Sequence, residues 1–214
     1  MAHAMPVTTK ICGLSTPEAL DAAIAGGASH VGFVFFPPSP RHVGFDQAAG
    51  LAARVPGRVA RVGVFVDPDD ALVEAAITSA RLDALQLHKV TPERAAQLRT
   101  RLPVWAAVAV KTRTDLATAQ GFRGAADRIL YDAKTPDNAA LPGGMGVRFD
   151  WELLRGHAHP LPWALSGGLD AANVADAVSA TGATLVDISS GVESAPGVKD
   201  VDKIAAFCKA VAQC

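Results

Sequence analysis

The chain repeats one pattern of hydrophobicity from end to end. A short, almost uninterrupted apolar run gives way to a turn rich in glycine, proline or aspartate, and then to an alanine-rich stretch with recurring polar positions. The apolar runs are Val7–Cys12, His30–Phe36, Val59–Val66, Ala84–Leu87, Val104–Val110, Arg128–Tyr131, Trp163–Leu165 and Leu185–Ile188. A strand covered on both faces is apolar throughout rather than alternating, so these runs predict the strands of a buried parallel sheet. The stretches between them predict helices. One starts near Thr16, where Ser15-Thr16-Pro17-Glu18 offers cap residues and an early proline, and others open at Asp67-Pro68-Asp69-Asp70 and Thr91-Pro92-Glu93. Further helices are expected over Asp46–Arg54, from about Thr114, and over Asp150–Leu154, Ala171–Ser179 and Val201–Ala212.

Eight strands alternating with eight helices imply parallel strands joined by right-handed crossovers. Eight such units point to a closed, single-domain (β/α)8 TIM barrel with a parallel eight-stranded sheet, at the small end of its size range. An open doubly wound sheet is the competing architecture and usually carries five or six strands. No composition shift divides the chain, so residues 1–6 read as an N-terminal extension and residues 7–214 as one barrel domain carrying the chemistry. The loop from Ala133 to Phe149 is long for an α/β connection, a feature common where loops take part in function.

Composition narrows the class. The 214 residues are 50% hydrophobic and 6% aromatic, which suits a globular α/β enzyme. A formal net charge of −1, with Lys and Arg scattered, argues against a nucleic-acid partner. No apolar run is long enough to span a membrane, and Met1–Pro6 lacks the core of a signal peptide, so a cytoplasmic location is expected. Three cysteines, Cys12, Cys208 and Cys214, make neither a disulfide framework nor a zinc motif. His157 and His159 have no recognisable co-ligands, so no metal is expected, and no cofactor motif is present.

In a closed barrel the active site lies at the C-terminal ends of the strands. Those ends carry Cys12, Phe36, Asp67, His88, Lys111, Asp132, Ser166 and Ser189. Two consecutive loops stand out. Ser166-Gly167-Gly168 and Ser189-Ser190-Gly191 each follow an apolar strand with small residues that allow backbone N–H groups to approach an anion. Together they describe the phosphate site common after the last two strands of such barrels. Cys12 is placed to act as a base or nucleophile if its thiol ionises, and Asp132 faces the same mouth as an acid. Arg41, on the loop after the second strand, has the geometry to fork onto a carboxylate. Asp187 is a charge in an apolar strand and needs a partner. Each also has a plain structural alternative: Cys12 as a small buried hydrophobe, Asp132 as a turn carboxylate, Arg41 as a solvated surface residue.

The combination of Lys10-Ile11-Cys12-Gly13, Pro38-Ser39-Pro40-Arg41, Leu85-Gln86-Leu87-His88, Phe149-Asp150-Trp151, Leu165-Ser166-Gly167-Gly168-Leu169 and Val186-Asp187-Ile188-Ser189-Ser190-Gly191-Val192-Glu193 resembles phosphoribosylanthranilate isomerase, from about Lys10 to Lys209. The pattern differs at Lys89, where that family often has glycine, and at Gly143-Gly144-Met145-Gly146. The resemblance implies a cofactor-free Amadori rearrangement in tryptophan biosynthesis, acting on a small phosphosugar, by a monomer or homodimer. It assigns the general base to Cys12, the general acid to Asp132, the anthranilate carboxylate to Arg41 and the phosphate to the last two loops, with Asp187 orienting the amine. A phosphosugar isomerase of histidine biosynthesis fits less well. Those barrels use two aspartates at the ends of strands one and five, positions held in this chain by Cys12 and by Val110-Lys111-Thr112. A non-catalytic phosphate-binding barrel would have no need for both Cys12 and Asp132.

Overall fold

A computed structural model describes residues 6–135, 146 and 148–214. Eight parallel strands close in sequence order into a barrel: β1 (Thr8–Cys12), β2 (His30–Val34), β3 (Ala60–Val66), β4 (Ala84–His88), β5 (Val104–Val110), β6 (Arg128–Ala133), β7 (Trp163–Leu165) and β8 (Leu185–Ile188). The closing pair is β1 with β8, in a register that sets Lys10 opposite Asp187. The connecting helices are α1 (Pro17–Ala25), α2 (Phe45–Ala52), α3 (Asp70–Ala80), α4 (Pro92–Arg99), α5 (Arg113–Leu116), α6 (Val174–Thr181) and α7 (Val201–Val211).

Alternation along each strand sorts its side chains into two compartments. Ile11, Val31, Phe33, Phe65, Leu85, Ile129 and Val186 belong to the buried layer that also holds Leu20, Leu51, Val73, Leu98 and Phe207 of the helices. Burying each such Leu or Phe contributes roughly 1.5–3 kcal/mol. Inside the barrel, Val62, Ala84, Trp105, Leu130, Ala164 and Leu185 form a dry layer toward the N-terminal strand ends. Above it, Cys12, Val34 and Val64 form a second small cluster. The mouth is therefore a cup with a solid floor.

Local chemistry starts the helices where the sequence signals lie. Thr16 accepts from the Ala19 amide at 3.3 Å ahead of Pro17, Asp69 from the Leu72 amide at 2.8 Å, and Thr91 from the Arg94 amide at 3.2 Å ahead of Pro92.

Three expectations change. The helix expected over Asp150–Leu154 is a single 3-10 turn, Trp151–Leu154, and α5 passes into a 3-10 segment, Ala117–Phe122, so the described residues hold seven α-helices rather than eight. The helix after β7 begins at Val174, not Ala171, because the Asp170 carboxylate accepts from the amides of Ala172 and Asn173 in a turn ahead of it. Between β8 and α7 the chain forms a hairpin that the hydrophobic pattern does not show, β9 (Glu193–Ala195) with β10 (Val198–Lys199). Much of the Ala133–Phe149 loop, and residues 1–5 of the expected extension, lie outside the described residues.

Candidate active site

All nine residues singled out as site candidates line one cavity at the C-terminal mouth. Cys12, Arg41, Asp132, Gly167, Gly168, Asp187, Ser189, Ser190 and Gly191 surround a single cavity that opens to solvent. Gln86 and His88 complete the wall from β4.

Asp132 lies within β6 rather than just beyond it, and only 8% of it is exposed. Its Oδ1 accepts from the Ala133 amide at 2.9 Å. Burial, reinforced by the negative charge of Asp187, pushes its carboxyl up to about 7, so it holds a proton that an exposed aspartate would have lost. Gly167 makes this possible sterically. It has φ +89°, and a Cβ there would stand 2.6 Å from the Ala133 nitrogen and 3.1 Å from Asp132 Oδ1.

Cys12 ends β1, 6% exposed. Burial pushes its thiol above the ordinary range, and the ammonium of Lys10 is the main opposing influence. Lys10 itself is fully buried, with Nζ 2.7 Å from Asp187 Oδ1. Burial disfavours its charge, but Asp187 and then Cys12 outweigh that, so it is held above the usual lysine value. Ser166 Oγ lies 3.4 Å from the other Asp187 oxygen. Asp187 thus has the partner that a charge in an apolar strand requires.

Arg41 is held edge-on by Glu193. Its Nε and Nη2 donate to the two carboxylate oxygens at 2.7 and 2.8 Å, with both side chains buried. Burial opposes the charge on Glu193, but Arg41 and Lys199 hold its carboxyl below the usual range. Lys199 Nζ also donates to Glu193 Oε1 at 2.7 Å and to the Ser189 carbonyl at 2.8 Å. A cation therefore stands behind the second small-residue loop, although no basic residue lies within Ser189–Gly191.

The two loops are packed against each other. A Cβ on Gly191 would stand 2.0 Å from the Leu169 carbonyl oxygen. Ser189 Oγ donates to the Cys12 carbonyl at 3.2 Å, and Asn173 donates to the Gly168 carbonyl at 2.9 Å. The segment after Ser189 is only a three-residue 3-10 turn, so the second loop offers amides in a turn rather than at the head of a long helix.

Sequence reasoning missed Lys10, Glu193 and Lys199. Lys10 carried the same signal as Asp187, a charge in an apolar strand, and the two answer each other. Gln86 and His88 belong to the Leu85–His88 motif, to which the sequence attached no role. The structure pairs them at 3.0 Å and, mainly through burial, draws His88 down to about 4, which leaves its ring neutral. His157 and His159 belong instead to an aromatic cluster, with His159 stacked on Trp163 and its Nδ1 3.2 Å from the Tyr131 hydroxyl.

Comparison with known proteins bears on this geometry. The family model described as N-(5'phosphoribosyl)anthranilate (PRA) isomerase matches residues 9–210. The N-(5'-phosphoribosyl)anthranilate isomerase of Zymomonas mobilis subsp. pomaceae is 55% identical over 211 residues, covering 97% of this chain and 99% of that protein. The enzyme of the same name from Paramagnetospirillum magneticum is 54% identical over 209 residues, covering 96% and 97%. Among solved structures, phosphoribosyl anthranilate isomerase from Thermotoga maritima superposes with a TM-score of 0.87 at 34% identity, covering 97% of this chain and all of that one. A phosphoribosyl anthranilate isomerase in complex with reduced 1-(o-carboxyphenylamino)-1-deoxyribulose 5-phosphate gives 0.85 at 32% identity, with the same coverage.

Proposed function

The chain belongs to the N-(5'-phosphoribosyl)anthranilate isomerase family, and on that footing we propose roles for its residues in the reaction it catalyses. That reaction converts N-(5-phosphoribosyl)anthranilate to 1-(2-carboxyphenylamino)-1-deoxyribulose 5-phosphate, the isomerase step of tryptophan biosynthesis. Asp132 is the general acid. Its proton passes to the furanose ring oxygen as the C1–O bond breaks, while the anthranilate nitrogen lone pair forms a protonated Schiff base at C1. Cys12 is the general base. Its thiolate removes the proton from C2, and the electron pair flows toward the iminium to give an enolamine, which tautomerises to the ketone. Each proton transfer contributes roughly 10²–10⁴-fold. The observation that carries this reading is a carboxyl held near 7 in the same cavity as a cysteine flanked by a buried ammonium.

Arg41 holds the anthranilate carboxylate, Asp187 orients the amine, and the backbone amides of Gly167–Gly168 and Ser189–Gly191 take the phosphate. The substrate is a small phosphosugar, with neither nucleic acid nor membrane as partner, and the chemistry calls on no cofactor or metal. No described helix is long and apolar enough to cross a membrane. We read residues 7–214 as the catalytic domain after a short extension, working in the cytoplasm as a monomer or homodimer. One Thermotoga maritima relative is described as dimeric. Loss of phosphoribosylanthranilate fluorescence on adding purified protein tests the reaction. A Cys12→Ser or Asp132→Asn protein that matches the parent rate takes the corresponding role away from that residue.

A further inference from the structure

We propose that Lys10 is a positioning residue of the proton-transfer site: its ammonium, anchored on Asp187, is the cation that favours the ionised form of the Cys12 thiol. Two positions apart on β1, Lys10 and Cys12 share the inner face of the strand. Their approach is built into the neighbouring strand. Gly32 stands opposite Cys12 in register, and a Cβ there would lie 2.9 Å from Cys12 Sγ and 3.2 Å from Lys10 Cε. Glycine at this position leaves free the space that a side chain would take from both. The Lys10 side chain is fully buried and its Nζ is fixed at 2.7 Å from Asp187 Oδ1, so the charge is held rather than waving on a flexible stem.

The other charged groups around the thiol do not replace it. From β8, Asp187 opposes ionisation; from β6, Asp132 lines the same cavity; from β10, Lys199 favours the thiolate but is tied to Glu193 and to the Ser189 carbonyl. Arg41, on the loop after β2, is forked onto Glu193, and His88 on β4 is neutral. Lys10 is the leading influence on Cys12 that works against burial. An isolated buried ammonium would lose its own proton, and Asp187 prevents that. Removing Lys10 acts twice: the attraction to the thiolate goes, and Asp187 is left as an unopposed negative charge beside it.

The proposal rests on the reading of Cys12 as the base, and the test separates the two. Cys12→Ser decides that reading by turnover, whereas alkylation reports the thiol with no turnover at all. In a Cys208→Ala/Cys214→Ser background, the rate of Cys12 alkylation by iodoacetamide is measured against pH. Lys10→Met raises the midpoint by at least about one pH unit, as expected for losing an opposite charge within a few ångströms. Lys10→Met/Asp187→Asn, which removes both charges and keeps a folded core if the single variant collapses, also raises it, by no more than the single change. Turnover of Lys10→Met falls at least tenfold near pH 7.5, and the alkaline limb of its pH profile moves up by at least about one pH unit. A midpoint at or below the parent value in either folded variant overturns the proposal.

Discussion

The guanidinium of Arg41 and the carboxylate of Glu193 form a buried two-point fork, 2.7 and 2.8 Å, across 152 residues of sequence. The pair joins the loop after β2 to the hairpin after β8, where Gly197, at φ +81°, lies so close that a Cβ would stand 2.5 Å from the Pro40 carbonyl oxygen. Glu193→Gln leaves the shape but removes the charge that fixes the guanidinium plane. With Arg41 as the carboxylate holder, this variant is expected to raise KM about tenfold or more and to lower kcat less. Its melting temperature drops as well, since breaking a buried ion pair from one side costs ~3–5 kcal/mol. Steady-state kinetics and thermal denaturation check both. An unchanged KM in the folded variant means that Arg41 needs no support from Glu193.

Cys12→Ser is expected to abolish turnover and leave product binding largely intact, because a serine hydroxyl is far too weak a base near neutral pH. Cys208→Ala and Cys214→Ser leave the rate unchanged: one thiol is buried against Gly26 and the other sits at the chain terminus, both away from the cavity. Equilibrium titration with product alongside the rate assay separates lost chemistry from lost binding.

The pH profile follows from the two shifts. With Asp132 as the proposed acid and Cys12 as the proposed base, activity needs the carboxyl protonated and the thiol ionised, yet burial holds the carboxyl at about 7 and the thiol above its ordinary range. As pH rises toward 7, the thiolate fraction grows tenfold per unit and activity climbs. Past 7, ionisation of Asp132 removes the acid as fast as thiolate gains, and activity levels off. Above the thiol value only the loss of the acid continues, and activity falls. The acidic limb of kcat/KM therefore belongs to the Asp132 carboxyl and the alkaline limb to Cys12, as macroscopic values of the pair. Asp132→Asn is expected to be at least about 10²-fold slower and to lack the inflection near 7, its activity climbing until the thiol has titrated. A variant retaining that inflection would show that another group supplies the acid.

Short-range signals made most of this molecule legible. Strand runs, cap residues and the residues closing each strand are local, and a barrel turns every strand end toward one mouth. Cys12, Asp132 and the two small-residue loops were readable for that reason. What escaped depends on closure. Lys10 meets Asp187 across 177 residues only because β1 pairs with β8, and Arg41 meets Glu193 only through the added hairpin. The strands of that hairpin are three and two residues long, too short for an alternating pattern. The Asp150–Leu154 segment closes as a single 3-10 turn on Asp150, whose carboxylate accepts from the Glu152 amide at 3.0 Å.

The phosphate should sit against the amides of Gly167–Gly168 and Ser189–Gly191. Gly168 has φ +67°, a conformation that strains a β-branched residue, and its carbonyl is fixed by Asn173 at 2.9 Å. Gly191 has no room for a side chain against Leu169. The first loop is thus held in a shape that glycine adopts readily, the second has room only for glycine at its end, and small residues face the cavity. Gly168→Val is expected to weaken substrate and inorganic phosphate alike, raising KM more than it lowers kcat, because the phosphate stays unchanged through the rearrangement and is bound equally in ground and transition states. Lys199 stands behind the second loop, on the Ser189 carbonyl, so Lys199→Met is expected to weaken phosphate binding less than Gly168→Val does. Competition by inorganic phosphate in the isomerase assay measures both variants. A phosphate-soaked crystal with the anion on Arg41 instead would move the phosphate to the other side of the mouth and take the carboxylate role from that residue.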